Sequence, residues 1–87
     1  MPTITLTINH EAGLHARPAA LFVQTAGKFA SSITVTHGER TANAKSILTV
    51  LTLGAKQGSE VTIHAEGDDA QQALDALREL VESNFGE

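Results

Sequence analysis

An α+β fold, an antiparallel sheet covered on one face by helices, is what this chain predicts, and three observations carry it. Each strand-like segment has an apolar face and a polar or hydroxyl-bearing face. Each of the two longer helical segments carries a single apolar stripe. The segments follow one another as β-α-β-β-α-β-α, so two layers suffice to bury every apolar face. At 87 residues the chain is read as one domain, 1–87, built around one small core.

The elements are justified in order. Thr3 to Ile8 alternates strictly, with Ile4, Leu6 and Ile8 on one face and three threonines on the other. Asn9 to Gly13 is a polar loop that delivers His15. From Ala16 onward, Ala19, Phe22, Val23, Ala26 and Phe29 or Ala30 fall at helical spacing, with Gly27 marking the end. Ser32 to Thr36 alternates again, Ile33 and Val35 inward. His37-Gly38 reads as a hairpin turn into a short polar strand, Glu39 to Asn43, whose polarity suits a sheet edge. Lys45-Ser46 opens a short helix with Ser46 as N-cap, and Gly54 ends it. Gln57-Gly58 turns into a strand from Glu60 to Glu66, with Val61, Ile63 and Ala65 inward and Thr62 and His64 outward. Asp68 or Asp69 caps the last helix, Gln71 and Gln72 supplying either capping-box partner. Its stripe is Ala70, Ala73, Leu74, Leu77, Leu80 and Val81.

Composition excludes several functions. With 41% hydrophobic and 18% charged residues the chain is an ordinary globule. A net charge of −4, three Phe and neither Trp nor Tyr argue against a nucleic-acid surface. Without cysteine there is neither a disulfide framework nor a thiolate metal site. No apolar run approaches membrane-spanning length, and Met1-Pro2-Thr3 begins no signal peptide, so a cytoplasmic protein is expected.

Chemistry concentrates in Gly13-Leu14-His15-Ala16-Arg17-Pro18-Ala19-Ala20. A helix start carries unpaired N–H groups and partial positive charge, and so attracts anions, phosphate above all. An imidazole placed there can accept, hold and pass on a phosphoryl group. Pro18 suits a first turn because its missing N–H has no helical partner there. Arg17 brings a donor fork that fits phosphate oxygens, although a cation at a helix N-terminus opposes the dipole. That opposition hints at a bound anion. The helix end and Arg17 both disfavour imidazolium, which lowers the His15 pKa and keeps its lone pair free. The plain alternative is a surface histidine standing at a helix start.

The short helix after Ser46 is apolar on two sides. Val50 and Leu53 share one face; Ile47, Leu48 and Leu51 share the opposite one. Only one can enter the core. Assigning Val50 and Leu53 inward leaves Ile47, Leu48 and Leu51 exposed, a cluster that marks a partner surface. The alternative is a helix sunk deep on both sides. His10, His37 and His64 are dispersed without ligand spacing, so no metal site is expected and each reads as a solvated surface residue.

These stretches identify a resemblance to the HPr family, the histidine-containing phosphocarriers of the phosphoenolpyruvate-dependent sugar phosphotransferase system. It covers nearly the whole chain. It rests on Gly13-Leu14-His15-Ala16-Arg17-Pro18-Ala19, Asn43-Ala44-Lys45-Ser46-Ile47, Leu53-Gly54 and the element order. The resemblance implies an open-faced β-sandwich, with four antiparallel strands and three helices. It implies a relay in which phosphorylated enzyme I donates to Nδ1 of His15, which then donates to the IIA component of a sugar permease. Arg17 and the N–H groups of Ala16 and Arg17 would lie near the phosphoryl oxygens. Ile47, Leu48 and Leu51, with Ala16 and Ala20, would dock both partners.

The resemblance further implies phosphorylation of Ser46 by a serine kinase/phosphorylase, and a transcriptional regulator as a partner. The family needs no cofactor, phosphoenolpyruvate being the upstream donor, and a carrier regenerated by its partners is not an enzyme. A monomer is expected. Two departures are mild: Ala12 stands where a small hydroxyl or amide residue is common, and Leu48 and Leu51 where Met or Phe often stands. The rival functions are a regulatory module of the same fold modified at Ser46, and a relay serving a dedicated kinase or a nitrogen-linked pathway. His15, Arg17 and Pro18 favour the carrier, since a purely regulatory module needs no nucleophile.

Overall fold

Alternation along the chain produces four strands, β1 (Thr3–Thr7), β2 (Ser32–His37), β3 (Arg40–Asn43) and β4 (Glu60–Glu66). The 3.6-residue stripes produce α1 (Ala16–Ala26) and α3 (Ala70–Glu82), with the short α2 (Ile47–Leu51) between β3 and β4. The computed structural model describes residues 2–9 and 16–86. His15, together with His10 and Ala12, lies outside the described residues.

The strands form one antiparallel sheet in the order β1-β4-β2-β3. Its inner face presents Leu6, Ile33, Val35, Ala42, Val61, Ile63 and Ala65 to the helices. Against them pack Ala19, Phe22 and Ala26 of α1, Val50 of α2, and Ala73, Leu74, Leu77 and Val81 of α3. The outer face is largely hydroxylated. Thr3, His64, Thr34 and Asn43 form one cross-strand row, and Thr5, Thr62, Thr36 and Thr41 the next. Within these rows Thr5 pairs with Thr62 and Thr36 with Thr41, each at 3.2 Å. Ile8, fully buried, extends β1's pairing by donating to the Ser59 carbonyl at 2.8 Å and accepting from Gly58 N–H at 2.7 Å.

Five details depart from the sequence reading. The β3 strand begins at Arg40, the turn being Gly38-Glu39, and His37 belongs to β2. Phe29 is half-buried against the core while Ala30 is exposed, and both lie past the end of α1. Ser46 occupies the N-cap position of α2, yet its hydroxyl makes no cap bond. Asp69 occupies the N-cap position of α3, again without a side-chain cap bond. Gln71, one of the two expected capping-box partners, instead bonds Asp75 at 3.0 Å. Phe85, left out of the apolar pattern, is 3% exposed. Asn84 and Phe85, both at φ +58°, turn the chain left-handed after α3 and return that ring to the core.

The Asp69 carboxylate is engaged elsewhere. One oxygen accepts from Ala30 N–H at 2.8 Å; the other accepts from Ser31 N–H at 2.9 Å and from the Ser31 hydroxyl. These bonds tie the start of α3 to the segment entering β2, and Ser31 is itself 2% exposed. The Ser31 hydroxyl first, then the Ala30 amide, hold the Asp69 carboxyl below the usual carboxylate range.

A lowered folded pKa stabilises the fold above the unfolded pKa, and that contribution disappears as pH falls through the folded value. Asp69→Asn leaves one acceptor oxygen where three donors converge. We expect its melting temperature to fall more than that of Asp68→Asn at neutral pH. The gap between Asp69→Asn and the parent should then close as thermal melts are taken below about pH 4. A gap independent of pH would remove the carboxylate from this role.

Candidate functional site

Because α1 begins at Ala16, His15 immediately precedes a helix start. Its first turn is Ala16-Arg17-Pro18-Ala19, with no acidic residue to offset the dipole. Pro18 and Ala19 are buried and fix the turn against the core, whereas Ala16 and Arg17 are exposed. Buried residues thus anchor a first turn that presents Ala16 and Arg17 to solvent. Ala20 is half-buried in the next turn.

Beside α1 packs α2. Val50 and Leu53 enter the core, at 0% and 2% exposure, and this settles which side of the two-faced helix is inward. Leu48 is 73% exposed, and Ile47 and Leu51 are each 38% exposed. These three are the exposed large hydrophobics among the described residues. An apolar cluster therefore stands exposed on the helix that packs against α1. Ser46 is half-buried at the edge of that cluster.

Two surface hollows lie elsewhere. One of about 370 Å³ is lined by Ser32, Thr34, Asn43, Lys45 and neighbours; one of about 280 Å³ sits between Thr25 and Leu80. Neither is lined by the first turn of α1 or by Ile47, Leu48 and Leu51. Among the described residues no group of three His, Asp or Glu could hold a metal. No helix there is long and apolar enough to cross a membrane.

Residues 2–83 match the family described as the PTS HPr component phosphorylation site. The chain belongs to the HPr family. It is 42% identical over 81 residues to the phosphocarrier protein HPr of Mycoplasma capricolum subsp. capricolum, covering 93% of this chain and 91% of that one. The crystal structure of an HPr from Thermoanaerobacter tengcongensis is 53% identical, with a TM-score of 0.97 over 100% of this chain and 98% of that one. A crystal structure of an HPr dimer from the same organism, also 53% identical, superposes with a TM-score of 0.81 over the full length of both chains. The four-stranded antiparallel sheet with three helices matches HPr structures. HPr proteins are phosphocarriers of the phosphotransferase system rather than catalysts, and that role comes with the family.

Two polar residues of the region escaped the sequence reading. His37, expected to be solvated, is half-buried, and its Nδ1–H donates to the Leu53 carbonyl at 2.8 Å. Arg40, read only as an edge-strand charge, donates through Nη1 to the Thr52 carbonyl at 2.7 Å. Nothing in their spacing points to these acceptors, which lie 16 and 12 residues away. The outward His64 shares a 2.9 Å hydrogen bond with the Thr3 hydroxyl.

Proposed function

We propose that the chain accepts a phosphoryl group on His15 from phosphorylated enzyme I and passes it to IIA components of sugar permeases. The observation that carries this reading is the helix start at Ala16, directly after His15, in a chain that matches the HPr family over residues 2–83. The lone pair of neutral His15 attacks phosphorus as the donor's bond to it breaks. The N–H groups of Ala16 and Arg17 and the Arg17 guanidinium then hold the phosphoryl oxygens. Each such contribution is about 0.3–2 kcal/mol, enough to tune transfer without trapping the group. Alignment of donor and acceptor supplies most of the rate, so the carrier needs no cofactor. The test is incubation with enzyme I and phosphoenolpyruvate, which should give an acid-labile, base-stable adduct.

In this reading Ile47, Leu48 and Leu51, with Ala16 and Ala20, dock both partners. Leu48→Asp is then expected to raise the KM for transfer from enzyme I about tenfold or more, equivalent to ~1.4 kcal/mol. The melting temperature should scarcely move, since Leu48 is 73% exposed. An unchanged KM rejects the patch.

Ser46 is assigned as the regulatory phosphorylation site of a serine kinase/phosphorylase, its modified form serving a transcriptional regulator. Its hydroxyl closes no cap bond, so modification there removes none from α2. The added charge is tolerated by the helix start but falls at the edge of the docking patch. Ser46→Asp should slow His15 phosphorylation by about tenfold with an unchanged circular dichroism spectrum. Equal transfer rates would reject this role. The protein works in the cytoplasm as a monomer, and sedimentation at working concentration separates this from a self-associated form such as the dimer known for the T. tengcongensis relative.

A further inference from the structure

The docking helix cannot hold itself. With five residues, α2 is far below the length at which an isolated helix persists. It has no acidic residue in its first turn and no basic residue in its last. Val50 is its one buried residue, and beyond its packing on α1 and β3 its two ends are fixed by hydrogen bonds.

Those bonds converge from one hairpin. At the front end, the Asn43 carbonyl at the end of β3 accepts from Ser46 N–H and from the Thr49 hydroxyl, each at 3.0 Å. The Asn43 side chain also accepts from Lys45 N–H at 2.9 Å. At the rear end, Arg40 at the start of β3 donates to Thr52 O, and His37 at the end of β2 donates to Leu53 O. In the β2–β3 register His37 and Arg40 face each other, so two opposed side chains reach successive carbonyls. Arg40 thereby supplies from another element the cation that the last turn of α2 lacks. Ile47, Leu48 and Leu51 stand between the two grips.

We infer that Arg40 and His37 are positioning residues for partner recognition: they hold the rear of α2 so that the apolar patch is presented in one orientation. The inference rests on the docking role proposed above for Ile47, Leu48 and Leu51. A patch on a fraying helix docks only from the ordered fraction of molecules, so loosening the grip raises KM. Chemistry at His15 proceeds unchanged once the complex forms, so kcat is spared.

The test uses the full chain with enzyme I and phosphoenolpyruvate. Arg40→Met keeps the stem and removes the donors. It should raise the carrier's KM about three- to tenfold with kcat unchanged, the range of one hydrogen bond. In the free protein, amide hydrogen exchange at Val50 and Thr52 should accelerate by a similar factor while Ile63 and Ala65 of β4 stay protected. His37→Phe should move both quantities the same way, and Arg40→Lys should restore part of each. Unchanged α2 exchange overturns the inference, including the case where KM rises alone because Arg40 touches the partner itself. Faster exchange with unchanged KM overturns it too, reducing the grip to local stability. Failure of the patch is read separately: an unchanged KM in Leu48→Asp removes the docking surface, whatever exchange reports about the grip.

Discussion

Replacing His15 with alanine is expected to abolish phosphoryl acceptance while leaving the domain folded. The start of α1 at Ala16 leaves its leading N–H groups without helical partners, and Arg17 stands exposed in the same turn. Such a turn can hold phosphoryl oxygens, but it carries no nucleophile once the imidazole is gone. Transfer should therefore drop by at least about a thousandfold, the scale seen when one member of a concerted catalytic unit is deleted. The fold has little reason to change. Pro18, Ala19, Phe22 and Ala26 keep α1 on the sheet. The assay is incubation with enzyme I and phosphoenolpyruvate, followed by acid and base treatment of the product. An acid-labile adduct of normal yield in His15→Ala would end the carrier reading.

Gly67→Ala should be a severely damaging single-methyl change. Gly67 links β4 to α3 at φ +148°, a conformation that side chains rarely adopt. A Cβ there would lie 2.8 Å from Ser31 Cα and 2.5 Å from its hydroxyl oxygen. Ser31 cannot withdraw easily, because its N–H and hydroxyl are both held by Asp69 and the residue is 2% exposed. Backbone strain and overpacking each contribute about 1–3 kcal/mol, so a combined loss of ~2–6 kcal/mol is expected. Against a total stability of about 5–10 kcal/mol for a domain of this size, that is a large fraction. Gly38→Ala isolates the steric part. Gly38 also has positive φ, +63°, but nothing lies within 4 Å of the added carbon. Urea titrations should show a much larger drop in midpoint for Gly67→Ala, with similar slopes for both. Equal drops would mean that Ser31 yields, and that the joint is looser than its hydrogen bonds imply.

Local pattern was enough to read the elements and their inward faces. Strict alternation from Thr3 to Ile8 marked β1, and the stripe from Ala70 to Val81 marked α3. The two-sided α2 was resolved by a simple constraint, that only one side of a covering helix can meet the sheet. Val50 and Leu53 are inside accordingly. What escaped was long-range. Asp69 looked like a cap because Asp at a helix start usually is one, but Ala30 and Ser31, 39 and 38 residues away, present better donors. His37 looked solvated, and Arg40 only part of a polar edge strand, for the same reason, their acceptors being carbonyls that only the tertiary fold brings near. Phe85 was lost because two left-handed residues break the period that would have flagged it. The helix start, the place of Arg17 in its first turn and the exposure of Ile47, Leu48 and Leu51 were legible; His15 itself lies outside the described residues.

The strand order has a consequence for how the protein comes into being. Two of the sheet's three strand pairings involve β4, which pairs with β1 on one side and β2 on the other. A nascent chain leaving the ribosome holds β1, α1 and the β2–β3 hairpin long before Glu60–Glu66 emerges. Until then its first strand has no neighbour to zip against, because β1 and β2 never touch each other in the finished sheet. Ile4 and Leu6 stay wet during that interval. Assembly should therefore wait until Glu60–Glu66 has emerged and then proceed in one concerted step, with any product stalled before that point recognised by chaperones or proteases as incomplete.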